Sequence, residues 1–142
     1  MKKPKYFNLE ELLTSSTARQ KSIENMPSWT IVCHLNELAL FLDDLREEWG
    51  SGIKVSSGFR CKALNEAVKG VKTSVHQIGY AADIMPANGH FDAFVAFIKV
   101  WAKDKSFDQI IVEESKTSKW VHIGLYNNAG DQRRQLFNMT VY

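Results

Sequence analysis

Ile31, Leu35, Leu38, Leu42, Leu45 and Trp49 follow one another at spacings of four, three, four, three and four residues. That period lays one apolar stripe along an α-helix, with Ser28 as its N-cap and Gly50 closing it. Asp43, Arg46 and Glu47 fall on the other side. Phe91, Phe94, Val95, Ile98 and Trp101 repeat the pattern as a second amphipathic helix, with Asn88 as its expected cap. A shorter helix is expected over Leu9–Leu13, where Asn8 can accept from the Glu11 amide and Phe7 can staple onto Leu12. Lys62–Lys69 reads as another, and Thr14–Pro27 as polar and irregular. Ile53–Ser57, the small and apolar Tyr80–Met85, Asp108–Glu113 and Trp120–Leu125 read as strands, the last two joined by the polar loop Glu114–Lys119. Helices and strands mix without a strict βαβ rhythm. The expected class is α+β, a small antiparallel sheet packed by helices.

Composition narrows this little. The 142 residues show no repeat, biased linker or compositional shift, so one domain over 1–142 is expected. A net charge of +2, from 18 basic and 16 acidic residues, is too balanced for the clustered basic face that nucleic acid demands. No run approaches the ~18 apolar residues of a membrane span. The basic start, Met1 to Lys5, leads into aromatic and acidic residues rather than a signal-peptide apolar core. Cytoplasmic synthesis without an export signal is the expectation. Cys33 and Cys61 are too few for a disulfide framework and lie in no CxxC motif. They read as reduced thiols, a single bridge being the other reading.

The chemistry concentrates in His76, Asp83 and His122. His122 alternates with Val121 and Ile123 on its strand, so it faces away from them. Gly79, Ala81 and Ala82 leave room for a loop histidine and a strand aspartate to converge. Two imidazoles and a carboxylate suit zinc with a fourth position open to water, or non-haem iron. The competing reading is three unrelated structural residues. His34, beside the long helical stripe, reads as a helix-edge or capping residue, and His90 as a surface or capping one. Arg133 and Arg134 read as a solvated pair, with contact to a polyanionic wall or substrate as the alternative.

Several stretches taken together resemble the M15 family of zinc peptidases, the D-Ala-D-Ala carboxypeptidase and peptidoglycan endopeptidase group, particularly its short phage and prophage members. They are Phe7 to Leu12, Val55-Ser56-Ser57-Gly58-Phe59-Arg60, Leu64-Asn65, Thr73-Ser74-Val75-His76 through Asp83-Ile84, and Trp120-Val121-His122. The resemblance spans about Phe7 to Phe137 and implies a hedgehog/DD-peptidase-like fold with zinc held by His76, Asp83 and His122. Arg60 matches the family arginine that meets a substrate carboxylate or carbonyl, for which a guanidinium fork is suited. Ser74 matches a position where a hydroxyl bonds substrate, or else caps a turn. Trp120 either shapes the substrate cleft or packs in the core.

Many relatives carry an acidic base three positions before the last histidine, where this chain has Lys119. The short phage-type members instead end an Asp-Gln-aliphatic-aliphatic-x-Glu strand in the acid, here Asp108 to Glu113. Glu113 is therefore favoured as the base over Glu114, which faces the other way. The resemblance implies a monomeric hydrolase of peptidoglycan stem peptides, a D,D-carboxypeptidase or endopeptidase. It would be a phage or prophage lytic enzyme that reaches the wall after release. Lys119 motivates the alternative, a catalytically inactive zinc-stabilised module that binds peptidoglycan or a protein partner.

Overall fold

The computed structural model describes residues 1–142. Its elements are α1 (Leu9–Leu13), α2 (Ser16–Gln20), α3 (Trp29–Trp49), β1 (Ile53–Ser57), α4 (Lys62–Ala67), a 3-10 turn (Val75–Ile78) and β2 (Ala81–Pro86). They continue with α5 (Phe91–Trp101), a second 3-10 turn (Ala102–Asp104), β3 (Gln109–Glu114), β4 (Lys119–Gly124) and β5 (Gln135–Thr140). The strands form one sheet in the order β1-β2-β4-β3-β5. The class is α+β, as the pattern predicts.

The caps explain where the helices begin and end. Asn8 accepts from the Glu11 amide and Ser28 from that of Ile31, while Gly50 leaves α3 in the left-handed region at φ 75°. Leu35, Leu38, Ala39, Leu42 and Leu45 of α3 bury against one face of the sheet together with Phe94, Ile98 and Trp101 of α5. The sheet answers with Ala82, Ile84, Ile110, Val121 and Ile123. These strand residues share one parity, so the residues between them point to the opposite face. That second face carries Asp83, Ile111, Glu113, Trp120 and His122, with Asp83 opposite His122 and Glu113 opposite Trp120. No helix is long and apolar enough to cross a membrane.

The structure amends some expectations and meets others. Thr14–Pro27 is not wholly irregular: Ser15 accepts from the Ala18 amide and starts α2. Asn88 does not cap α5; its side chain accepts from the His90 amide in the preceding turn. His34 sits at a helix edge, stacked on Tyr80 with ring centroids 4.0 Å apart and Nδ1 2.7 Å from the Ile78 carbonyl. Both cysteines are free.

The largest addition is β5, which pairs with β3 in parallel and makes the sheet mixed. The antiparallel expectation holds for β1, β2, β4 and β3 among themselves. β5 depends on Arg133, which is no solvated tail residue. Its Nε and Nη2 donate to the two oxygens of the buried Asp108 carboxylate at 2.8 and 2.9 Å. Arg134 turns its guanidinium onto the carbonyls of Lys103 and Lys105. A fork matched to a buried carboxylate pins the chain where the parallel ladder starts.

Candidate active site

The site is assembled on the sheet face opposite α3 and α5, and each side chain arrives by a separate local device. β1 and β2 run in regular register from Ile53 to Val55, and then an irregularity follows before Ser57 pairs with Asp83. One extra residue in a strand reverses which side chains share a face. Ser57 thereby leaves the core-facing parity of Ile53 and Val55 and joins Asp83. Beyond it the chain passes under α1: the Phe59 amide donates to the Leu12 carbonyl at 2.8 Å. Gly58 permits that passage, because a Cβ there would stand 2.3 Å from the Leu12 carbonyl oxygen. Asn25 staples the same loop, its amide donating to the carbonyls of Leu13 and Phe59 and its oxygen accepting from the Cys61 amide.

His76 sits on the 3-10 turn. Ser74 begins this turn, its hydroxyl accepting from the His76 amide at 3.3 Å. Gly79 ends it at φ 82°, wedged against Ile31 where a Cβ would meet Cγ2 at 2.9 Å. The Arg60 amide donates to the His76 carbonyl, so the arginine loop and the histidine turn are tied directly. His76 is buried, and its Nδ1 lies 2.8 Å from the Gly58 carbonyl. That acceptor requires the proton on Nδ1 and leaves the Nε2 lone pair free.

Nε2 of His76 is 3.4 Å from Asp83 Oδ1, and His122 Nδ1 is 3.1 Å from the same oxygen. One donor atom from each of the three residues lies within 4.8 Å of the others. The two imidazole rings meet edge to face, with centroids 5.2 Å apart. Burial pushes His76 toward its neutral form, the form that ligates metal. Burial would raise the Asp83 carboxyl, but attraction and hydrogen bonding from His76 and His122 outweigh it and hold the group well below the usual carboxylate range. The donor set fits a metal ion. Two nitrogens and one carboxylate converge, and the outer nitrogen of His76 is occupied by a backbone carbonyl, the usual arrangement around a ligating histidine.

Arg60 flanks the cluster, its side chain largely buried. Nε donates to Ser57 Oγ at 3.1 Å, Nη1 to Asn65 Oδ1 at 3.3 Å and Nη2 to Asp83 Oδ2 at 3.4 Å. Three of the five guanidinium N–H groups are thus occupied, and two remain for another oxygen. Burial lowers the Arg60 pKa, opposed by Asp83 and Glu113. Asn65, itself buried, donates to the Val71 carbonyl and fixes the loop after α4. Asn25, Asn65 and Ser57 have no role that helical or strand spacing reveals; Asn25 finds its partners in distant segments, whereas Ser57 and Asn65 meet Arg60 within one loop region.

Glu113 is half-buried on the same face as His122, two residues along β3 from Ile111, which pairs with His122. Burial raises its pKa, helped by the negative charge of Asp83 and opposed by His122, Trp120 and Arg60. Glu114 is exposed on the other parity and pairs with Lys119 at 3.8 Å. Lys119 also begins β4 on the parity of Val121, away from His122. Its cation lies outside the cluster and leaves the Glu113 side of the site unblocked. Trp120 stands opposite Glu113, half-buried. Beyond Glu113 the same face continues onto β5 with Phe137 and Met139, paired with Ile111 and Glu113. His90 precedes α5 without capping it through its side chain and takes no part in the cluster.

Two imidazoles and a carboxylate, with a glutamate and an arginine alongside, make the donor set of a mononuclear hydrolase. The family comparison agrees with that class. The chain belongs to the family Peptidase M15, whose model matches residues 5–124. Every residue of the cluster falls inside the match, and β5 lies beyond it. No curated protein matches the chain.

Proposed function

We propose that this peptidase is zinc-dependent and hydrolyses peptide bonds in the stem peptides of bacterial peptidoglycan. His76, Asp83 and His122 hold the ion. The observation that carries the reading is their convergence within 4.8 Å beside Glu113 on one sheet face, with Arg60 reaching Asp83 from the loop after β1. Zinc, when bound, supplies Lewis-acid polarisation of the scissile carbonyl and a water of lowered pKa.

The protein side chains carry the remaining work. Glu113 takes a proton from the attacking water on a carboxylate oxygen and returns it to the leaving amine. Burial raises its pKa, which makes the carboxylate a stronger proton acceptor. Arg60, held by Ser57, Asn65 and Asp83, uses its two spare N–H groups to orient a substrate carboxylate or steady the developing negative oxygen. Ser74 acts by capping the turn that aims His76. The Gly58 carbonyl on Nδ1 leaves Nε2 of His76 facing Asp83, whose Oδ1 stands between the two imidazoles. We further propose a phage or prophage lytic role, with cytoplasmic synthesis and access to the wall after release.

Mass spectrometry of purified peptidoglycan fragments, incubated with the protein with and without a zinc chelator, tests this. The expected result is a chelator-sensitive mass change. Loss of D-alanine identifies a carboxypeptidase, and split stems or cross-links identify an endopeptidase. Intact fragments from several wall types, with zinc measured in the sample, would overturn hydrolysis and favour a zinc-stabilised module that only binds the wall.

A further inference from the structure

Three buried indole N–H groups, those of Trp49, Trp101 and Trp120, have no hydrogen-bond acceptor. A buried donor left unpaired is unfavourable, and each such group calls for an explanation. For Trp49 and Trp101 the surroundings supply one. Trp49 is edged by Phe94 and Phe97 at 5.1 and 5.4 Å, and Trp101 by Phe41 at 5.2 Å with the Lys105 ammonium over its ring. These neighbours are rings and a cation rather than acceptors.

Trp120 differs. It faces Glu113 directly across the β3–β4 ladder. Directly opposed residues place their Cβ atoms about 4.5–5.5 Å apart, well within the reach of an indole and a glutamate side chain. The other charged groups acting on Glu113 are Asp83, His122 and Arg60, all gathered toward the metal-ligand cluster. Lys119 and Glu114 pair with each other on the opposite parity and leave this pair alone.

We propose that Trp120 is a positioning residue for the base: its indole N–H donates to the Glu113 carboxylate and holds it facing the cluster of His76, Asp83 and His122. The inference rests on the reading of Glu113 as the base. Catalytic hydrogen bonds are often long before substrate binds and tighten in the working complex; here the buried indole already acts on the facing Glu113 carboxylate in the free protein. Burial of Glu113 favours its neutral form, and the neighbouring indole works the other way. A donor there both aims the carboxylate and keeps it ready to accept a proton. Without it, Glu113 would sample rotamers pointing along the face toward Met139.

The first test needs neither zinc nor substrate. In the metal-free protein, indole 1H–15N resonances are compared between the native chain and Glu113→Ala. The Trp120 N–H is expected to move upfield while those of Trp49 and Trp101 stay in place; an unmoved Trp120 resonance overturns the proposal. The second uses Trp120→Phe, which keeps the ring and removes only the donor. With peptidoglycan fragments and zinc-loaded protein, kcat is expected to fall about 10–100-fold, the value of one hydrogen bond to a charged group. KM and bound zinc stay unchanged, because ground-state binding is untouched. An unchanged kcat, or a loss shared between KM and zinc content, overturns it. If the native protein cleaves nothing, the proposed function fails while the indole resonances still decide the pairing.

Discussion

A carboxylate buried between two imidazoles is unstable as an isolated arrangement, and Asp83 shows how neighbours make it tolerable. Its two oxygens divide the work, Oδ1 toward the histidines and Oδ2 toward Arg60. Asp83→Asn keeps the shape and removes the charge, so it is expected to abolish zinc binding in the dialysed protein, as measured by metal analysis. Glu113→Gln should do the reverse. Zinc content stays intact while hydrolysis of muropeptides falls by about 10²–10⁴-fold, the usual contribution of general acid–base catalysis. Asn25 is the residue whose importance is least visible from its type. It satisfies a carbonyl at the end of α1 and one carbonyl and one amide of the loop that carries Arg60. Asn25→Ala strands those groups and is expected to cost about 1–3 kcal/mol in denaturant unfolding.

At the scale of elements, β5 pairs with β3 along a parallel ladder whose start is pinned by an ion pair, with Leu136 packed on the core. The hydrogen bonds from Arg133 lower the Asp108 carboxyl, against the effect of burial. A carboxyl depressed in the folded state adds stability that is present above its unfolded pKa of about 3.9 and is lost as pH falls through the lower folded value. Acid unfolding of the native chain should therefore steepen below about pH 4. Asp108→Asn should flatten that limb and lower the thermal midpoint at neutral pH. The comparison is two pH-dependent melting series. Loss of β5 would also strip Phe137 and Met139 from the sheet face beside Glu113, so the variant reports on cleft shape as well as stability.

Across the whole molecule, one sheet separates two environments. Helices α3 and α5 cover one face with an apolar core, and the loops from α1 to the 3-10 turn frame the polar cluster on the other. The core supplies the rigidity: Leu38 and Phe94 are fully buried. Leu38→Ala is expected to destabilise by about 2–5 kcal/mol, since the cavity left behind cannot fully collapse. The cluster adds stability only when loaded. Free zinc at about 1,000 times its dissociation constant is expected to stabilise the folded chain by about 4 kcal/mol, and excess chelator to reverse this. Thermal melts with and without chelator measure that difference, and the Asp83→Asn protein should show none.

The chain's own pattern determined most of the scaffold. Helix α3 was legible because its stripe and both caps are local, and β3 and β4 because their alternation is. The ligand types were legible too: histidine and aspartate among small or apolar neighbours are conspicuous, and so is the Ser57-Gly58-Phe59-Arg60 run. Tertiary structure alone decided the rest. The irregularity in β1 moved Ser57 across the sheet, which strict alternation cannot anticipate. β5, with apolar residues at 136, 137 and 139, has no clean period, and it depends on a partner some 25 residues away in Asp108. Lys119, sited where relatives carry an acid, was neutralised by geometry: strand parity turns it from His122 and toward Glu114. Side-chain type and period are properties of neighbours in sequence, whereas convergence of three ligands depends on the register of strands joined by distant loops.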